Sequence, residues 1–325
     1  MILSYNTQTN TTDLEKNRIN LFGEIIKMKK KLLLLSALFV ALLLNISNVQ
    51  AQTKTTANNS ALLYEITGKN LKKPSYLFGT IHLICQKDMF PAEKLKNYLG
   101  QTKQLLLEID MDDQTVIQQA VKGSLLADGK TVKDYVKPDE YAKIDELFKN
   151  YLGVSFDNLQ SFKPLISQTY LLTSPKVLGC QPPVVYDNFL AQTAAAAKMP
   201  VIGLETIEQQ FAAIDSQPLE KQIKALNEAA ANPEKGVGEF KTLYRIYLTQ
   251  NSDATHDSVV SGMTAEGYDL TKFVDERNLN WIPIIEKNIS ITPSFIAVGG
   301  GHLGGKKGVV SLLRARGYKL KPIKF

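Results

Sequence analysis

The 325-residue chain carries 38 lysine and arginine residues against 32 aspartate and glutamate residues, which gives a formal net charge of +6. The first 51 residues hold six of the basic residues and three of the acidic ones, so the remainder carries about +3. Its lysines are scattered rather than clustered on one predicted helix, which excludes a protein that binds nucleic acid through a basic surface.

The first 51 residues have the three parts of a secretory signal peptide. A cluster of four lysines precedes an apolar run at residues 32–44, and the polar stretch that follows ends at the small residue Ala51. The apolar run is shorter than the ~20 residues that a membrane-spanning helix needs, although an uncleaved membrane anchor is an alternative. Because a signal peptide normally begins at the initiator methionine, residues 1–27 are predicted to be an upstream extension, with Met28 as the true start. We therefore expect a periplasmic or secreted protein with no transmembrane segment in its mature chain.

A single domain is predicted over residues 61–325, after a polar linker at residues 52–60. The domain begins with a predicted β-hairpin, and short continuous apolar runs then predict strands buried on both faces of a sheet. The predicted strands span residues 62–66, 75–78, 105–107, 200–204, 294–298 and 318–323.

Helical spacing of apolar residues marks most of the remaining chain. The predicted helices span residues 139–151, 163–172, 188–198, 219–231, 239–249, 270–289 and 307–316, with a kink or break near Pro283. Residues 111–173 are predicted to form a helical insertion between sheet strands. The predicted fold is α/β, with a mainly parallel central sheet, flanking helices and this insertion.

Two of the three histidines follow predicted strands in the same Gly-x-x-His pattern, which runs from Gly79 to His82 and from Gly299 to His302. Glycine at such a position lets the backbone turn sharply or approach a ligand closely. Ligands of open α/β sheets bind at the ends of strands, so both imidazoles are candidate site residues. The alternative is that both are ordinary histidines that cap turns.

Glu108 and Glu205 each end an apolar run, where a buried carboxylate needs a partner such as a metal ion or another cation. Two histidines and two glutamates at four strand ends predict a divalent metal site. The alternative for each glutamate is a solvated or helix-capping residue, and Glu205 directly precedes a predicted helix.

Four further residues are candidates for substrate or structural support: Asp187, Arg277, Gly79 and Gly299. Asp187 begins the alanine-rich helix and is a natural N-cap, while Arg277 could reach an anionic group or form a surface ion pair. Cys85 and Cys180 could form a disulfide in an oxidising compartment, or both could remain free buried thiols.

Several of these segments together resemble the TraB/GumN family, which also includes the TIKI proteins. The resemblance spans roughly residues 60–325, and residues 186–190 and 276–278 also look like family positions. The main matching segments are LFGTIH at 77–82, LEID at 107–110, GLETIEQ at 203–209, VGGGHLG at 298–304 and LLRARGY at 312–318.

The resemblance implies an α/β domain of the type shared with erythromycin-esterase and ChaN-like proteins. In the TIKI branch it implies metal-dependent proteolysis that uses both Gly-x-x-His motifs and a glutamate. By position, His82, His302 and either Glu108 or Glu205 take those roles. Residues 111–176 match nothing in the family pattern, so no substrate contact is carried over there.

Our first functional hypothesis is an exported metal-dependent hydrolase that resembles a peptidase and acts on a peptide or another small substrate. His82, His302 and Glu108 would hold a divalent ion (Mn, Co or Zn), which lowers the pKa of a bound water to about 7. Glu205 would act as the base, although the sequence does not separate the two glutamates. The second hypothesis is a non-catalytic binder of a peptide, haem or metal, and the third is a structural protein. The sequence specifies no oligomeric state.

Overall fold

The computed structural model describes residues 60–110 and 114–324. The predicted signal peptide, the upstream extension and all but the last residue of the predicted linker lie outside the described residues. Within these two ranges, no helix is long and apolar enough to cross a membrane.

The described ranges contain one six-stranded sheet in a mixed α/β fold. Its spatial order is β4-β3-β5-β2-β1-β6. The strands are β1 (Leu63–Gly68), β2 (Ser75–Thr80), β3 (Gln104–Leu107), β4 (Val201–Gly203), β5 (Ser294–Gly299) and β6 (Tyr318–Ile323).

The prediction of a mainly parallel sheet is wrong, because the sheet is mixed. Strands β4, β3, β5 and β2 are parallel neighbours, whereas β1 is antiparallel to both β2 and β6. A hairpin turn with positive φ at Gly68, Lys69 and Asn70 reverses the chain between β1 and β2. Gly317, at φ +91°, turns the chain into β6, which then pairs with β1.

Twelve α-helices accompany the sheet in the described ranges. They are α1 (Ala92–Gly100), α2 (Gln114–Gly123), α3 (Pro138–Leu152), α4 (Pro164–Leu171), α5 (Pro175–Leu178), α6 (Tyr186–Ala196), α7 (Ile207–Asp215), α8 (Leu219–Ala231), α9 (Pro233–Leu248), α10 (Ser252–Ala265), α11 (Glu276–Ile291) and α12 (Val309–Ala315). Five of them, α2 to α6, lie between β3 and β4.

The main core packs helices against the sheet, around fully buried strands. Phe78 lies at its centre, with its ring edge-on to Phe90 and Tyr186 at centroid distances of 5.2 Å in both cases. Such aromatic pairs add about 0.5–1.5 kcal/mol beyond the burial of their area. A second cluster under α3 and α8 is built on residues such as Phe148 and Phe156.

The four parallel strands carry the candidate residues to one edge of the sheet. Their carboxyl ends meet at the same edge, because parallel neighbours run in the same direction. His82 follows β2, Glu108 follows β3, Glu205 follows β4 and His302 follows β5. The topology therefore brings together side chains that are up to 220 positions apart in the sequence.

Candidate functional site

The side chains at this edge form an outer and an inner layer. His82, Glu108 and Asp187 form the outer layer, with side chains that are 15%, 13% and 24% exposed. The inner layer is almost fully buried and consists of Glu205, Arg277, His302, Asn278 and Trp281. Only the outer layer offers side-chain area that a molecule arriving from solvent could contact.

Arg277 lies at the centre of the inner layer, and the contacts of its guanidinium account for all five N–H groups. Its Nε donates to Glu205, and its Nη2 donates to Glu108 Oε2 at 2.6 Å and to Glu205 Oε1 at 2.5 Å. Its Nη1 donates to the Phe273 carbonyl at 3.3 Å and lies 3.2 Å from His302 Nε2. The guanidinium is thus a permanent cation that joins both predicted glutamates to one predicted histidine.

The approach of Arg277 to the site depends on an irregular turn. Residues Thr271–Asp275 form one π-helical turn directly before α11. A π-turn changes the phase of the helix that follows, and such turns are frequent at functional sites. Here the Phe273 carbonyl accepts from the side chain of Arg277, which anchors the guanidinium to its own helix.

His302 is a neutral ring with both nitrogens engaged. The Asn278 amide nitrogen donates to the carbonyls of His302 and Lys307, so its Oδ1 faces His302 Nδ1 at 2.7 Å as an acceptor. The proton of the ring must therefore be on Nδ1, and Nε2 accepts from Arg277. Burial lowers the pKa of His302 to about 3, and the Arg277 cation lowers it in the same direction.

Glu108 connects the two layers. Its Oε1 accepts from the Gly299 backbone N–H at 2.7 Å, and its Oε2 accepts from Arg277 and, at 3.4 Å, from Gln210. Burial would raise the pKa of Glu108, but Arg277, both imidazoles and the Gly299 N–H together lower it to about 2. Glu108 is therefore ionised at neutral pH.

Glu205 is held more tightly than Glu108. Both of its oxygens accept from Arg277, and Oε2 also accepts from the indole N–H of Trp281 at 3.2 Å. With 4% of its side chain exposed, Glu205 is enclosed behind the outer layer. It does not cap α7, because Thr206 forms the capping box there with Gln209.

His82 and Asp187 face each other in the outer layer, with His82 Nδ1 3.9 Å from Asp187 Oδ2. Burial lowers the pKa of His82, while the negative charge of Glu108 opposes that shift. Burial raises the pKa of Asp187 to about 7, and the charge of Glu108 acts in the same direction. At neutral pH the pair thus consists of a neutral imidazole and a carboxyl that is close to its midpoint of titration.

The glycines and cysteines of the sequence analysis also lie at this edge. A Cβ on Gly299 would be 3.3 Å from Glu108 Oε1, and one on Gly79 would be 2.6 Å from the Leu303 side chain. A side chain at either position would therefore require its neighbours to shift. Cys85 and Cys180 form a disulfide with a Cα–Cα distance of 5.8 Å, three residues after His82.

Asp187 lies in the first turn of α6, and Val185 takes the N-cap position instead. Arg277 is buried in the cluster and does not form a surface ion pair.

Sequence reasoning assigned no role to Asn278, although residues 276–278 look like family positions, and it missed Trp281 and Gln210. Asn278 follows Arg277 directly, and Trp281 is the single tryptophan, one helical turn after Arg277 on α11. The position next to Arg277 could have indicated Asn278, and the helical spacing from Arg277 could have indicated Trp281. Gln210 carries no comparable signal, because its contact with Glu108 depends on the packing of α7.

The described arrangement does not fit the divalent metal ion that the sequence predicts. A metal ligand must offer a lone pair, but the Nε2 of His302 accepts from Arg277 and its Nδ1 carries a proton. Both oxygens of Glu205 accept from the same guanidinium. Across residues 60–110 and 114–324, no three His, Cys, Asp or Glu side chains form a group that could hold a metal. We therefore derive no step through a metal ion.

Comparison with known proteins gives a family match that covers every segment of the site. The model of the TraB/PrgY/gumN family matches residues 62–322, a range that contains all four strand ends of the site. No solved structure matches the chain.

The curated relatives are animal proteins. The chain is 22% identical over 301 residues to Metalloprotease TIKI1 of Danio rerio, a match that covers 76% of this chain and 60% of the relative. It is 22% identical over 303 residues to Metalloprotease TIKI2 of Xenopus tropicalis, with 76% and 57% covered. It is 21% identical over 302 residues to Metalloprotease TIKI1 of Homo sapiens, with 76% and 59% covered. The matches thus cover less than two thirds of each relative.

Proposed function

Because the chain belongs to the TraB/PrgY/gumN family, we propose that it is a hydrolase that cleaves peptide bonds at the cluster of His82, Glu108 and Asp187. The relatives named as metalloproteases support the reaction class. The observation that carries the proposal is the position of the outer layer, which is partly exposed in front of the buried Arg277. A neutral imidazole at His82 lies near an ionised Glu108, and both are partly exposed in front of a buried cation.

His82 is the proton acceptor in this proposal. A general base must be deprotonated at neutral pH and reachable by water, and His82 meets both conditions. The charge of Glu108 favours the protonated imidazole, so it strengthens His82 as a base. Asp187, 3.9 Å from the ring, stabilises the imidazolium when it forms.

The chemical step adds one water across the peptide bond. The water oxygen forms a bond to the carbonyl carbon while one water proton moves to His82. The C–N bond then breaks, and the proton on His82 moves to the departing nitrogen. A carboxylic acid and an amine leave, and His82 returns to its neutral form.

Arg277 and His302 hold this arrangement and do not contact the substrate. Since every N–H of Arg277 is engaged within the protein, its role is to hold Glu108 ionised and in place. We assign the base role to His82 in preference to Glu205, because both oxygens of Glu205 are used inside the inner layer.

The test is cleavage of a mixture of unrelated peptides by the purified full-length chain, read by mass spectrometry. We expect His82→Gln to lower the rate by about a hundredfold or more, the range for a lost general base. We expect Glu108→Gln to lower the rate as well, because it removes the charge that favours the protonated imidazole. Glu93→Gln is the matched control, because Glu93 is 86% exposed and pairs with Lys96. Binding of peptides without any cleavage contradicts the hydrolase and favours the non-catalytic binder.

The same experiment also tests whether cleavage depends on a metal ion, because the relatives are named metalloproteases. Peptide cleavage is measured after chelation and after addition of Mn²⁺, Co²⁺ or Zn²⁺, together with metal content. In the described arrangement we expect activity to survive chelation. Metal-stimulated cleavage by the wild type, absent in His302→Ala, would show instead that His302 leaves Arg277 and ligates an ion.

A further inference from the structure

One helical hairpin contacts both Gly-x-x-His turns. The hairpin consists of α9 and α10, which are consecutive helices and pack against each other. From α9, the buried hydroxyl of Tyr247 donates to the carbonyl of Gly79 at 2.9 Å. From α10, Nδ1 of His256 lies 2.7 Å from the carbonyl of Gly301. Each turn therefore has one of its glycine carbonyls held by a side chain of this hairpin.

The contact of His256 fixes the state of its ring. A carbonyl oxygen can only accept, so His256 Nδ1 must carry the proton that it shares with Gly301. His256 is half-buried. It lies in the second turn of α10, whose N-cap is Asn251.

The backbone of the second turn lies directly against α10. A Cβ on Gly301 would be 3.0 Å from the Val259 side chain, and one on Gly300 would be 3.3 Å from Thr255 Cγ2. A Cβ on Gly304 would be 2.6 Å from the Ser252 carbonyl. Glycine at these positions removes the side chains that would separate the helix from the turn.

The two turns also touch each other. Thr80 and Gly299 are paired residues of the parallel strands β2 and β5. A Cβ on Gly79 would be 3.0 Å from Gly300 Cα, and one on Gly300 would be 3.2 Å from the Thr80 carbonyl. The hairpin and the two strands thus both contact the two turns.

We propose that α9 and α10 form a positioning element for the site. Tyr247 fixes the position of the turn that carries His82, and His256 fixes the position of the turn that carries His302. Neither residue is a catalytic residue, since each acts through the backbone of the turn that it holds. The effect of this positioning on catalysis rests on the proposed function. The positioning of the two turns does not. A displacement of about 1 Å at a reacting group can lower a rate by a hundredfold, so the positioning matters for the chemistry.

The test uses the fact that the chain contains only three histidines. With histidine-selective isotope labelling, the full-length protein gives three sets of ring signals in an NMR spectrum. His256→Leu removes one set and so identifies it, and it also removes the N–H that reaches Gly301. His256→Asn keeps an N–H donor near the place of Nδ1 and is the conservative variant.

We expect His256→Leu to shift the His302 ring signals more than those of His82, and His256→Asn to restore most of the wild-type positions. We expect Tyr247→Phe, which loses only a hydroxyl, to shift the His82 signals more than those of His302. Thermal unfolding of each variant shows that the comparison is made on folded protein. Unchanged ring signals in both folded variants, or equal shifts of both rings in each, would overturn the proposal.

Kinetics give the second readout. In the peptide-cleavage assay we expect His256→Leu and Tyr247→Phe to lower kcat by about tenfold to a hundredfold with little change in KM. His256→Asn should recover most of kcat. If the wild type cleaves no peptide, the proposed function fails while the ring signals still decide the positioning role. Wild-type kcat in both folded variants would overturn the consequence of this positioning for catalysis.

Discussion

Arg277 is the residue on which the buried charges depend. It is the shared partner of Glu108 and Glu205, so its removal leaves two buried carboxylates without their cation. We expect Arg277→Met to lower the free energy of unfolding by about 3–5 kcal/mol, measured by urea denaturation. Arg277→Lys should recover only part of this loss, because three donors on one ammonium cannot replace a five-donor fork.

Arg316→Met is the matched control for this change. Arg316 is 59% exposed and lies 3.8 Å from Glu286, so we expect its loss to change stability by no more than about 0.5 kcal/mol. A stability of Arg277→Met close to that of the control would mean that the two glutamates find other partners.

His302 makes a pH-dependent contribution to stability. Its pKa is about 3 in the folded protein and 6.5 in the reference state, because burial and Arg277 disfavour the imidazolium. Between about pH 6.5 and pH 3, His302 is therefore protonated in the unfolded chain but remains neutral in the folded chain. The contribution is fully present above pH 6.5 and is lost as the pH falls towards 3.

The measurement compares urea unfolding of the wild type and of His302→Gln at about pH 7 and about pH 4. Glutamine does not titrate, so we expect the wild type to lose more stability than the variant over this interval. An equal loss in the two proteins would place the pKa of His302 near its ordinary value.

At the residue scale, the sequence indicated His82, Glu108, Glu205 and His302 because each follows an apolar strand. It did not indicate which charge compensates which, since that depends on the helix carrying Arg277. Arginine is a residue type that usually forms ion pairs at the surface, so the sequence alone favours that position for Arg277. It is buried here because α11 packs against the strand ends. Local patterns thus predict which residues meet, while tertiary packing decides their partners.

The disulfide acts on two elements together. It joins the segment after β2 to the segment before α6, and Ile84 and Val184 exchange backbone hydrogen bonds beside it at 2.9 and 2.8 Å. The bond closes a loop of 95 residues, for which the chain-entropy relation gives about 4.7 kcal/mol of stabilisation, while measured values are typically lower. We expect Cys85→Ser with Cys180→Ser to lower the free energy of unfolding by about 2–4 kcal/mol.

A reducing agent provides the control for the disulfide. It should destabilise the wild type by a similar amount and leave the double serine variant unchanged. A wild-type protein that is equally stable with and without reductant would contradict this contribution.

At the element scale, helices with strong apolar periodicity were predicted closely, and the predicted helix at 219–231 has the bounds of α8. Helix α10 was missed. Its buried face carries small polar residues such as Ser252 and Thr255, which fit against the glycine turn but give no apolar periodicity. The prediction near Pro283 was a kink or a break, and the break is wrong, because α11 continues through that proline. The irregular turn precedes it at residues Thr271–Asp275, where no proline marks it.

At the scale of the whole molecule, the leader pattern and the disulfide favour a protein that folds after export. We propose cleavage after Ala51, so the exported protein should begin at Gln52. Expression with the leader intact, followed by mass spectrometry of the protein outside the cytoplasm, measures this directly. An N-terminus upstream of residue 32 would indicate the uncleaved anchor.

The pairing of β1 with β6 joins the first strand of the described chain to the last. Strands β2 and β5, which carry the two histidine turns, are likewise more than 200 residues apart. Contacts of such long sequence separation form slowly, because much of the chain must be ordered before they can close. An unfinished chain lacks β5, the parallel partner of β2, so the edge that carries the two histidine turns cannot assemble until β5 has emerged. Delayed assembly of this kind would keep a hydrolase inactive, and its chain unfolded, while it passes through a translocation pore.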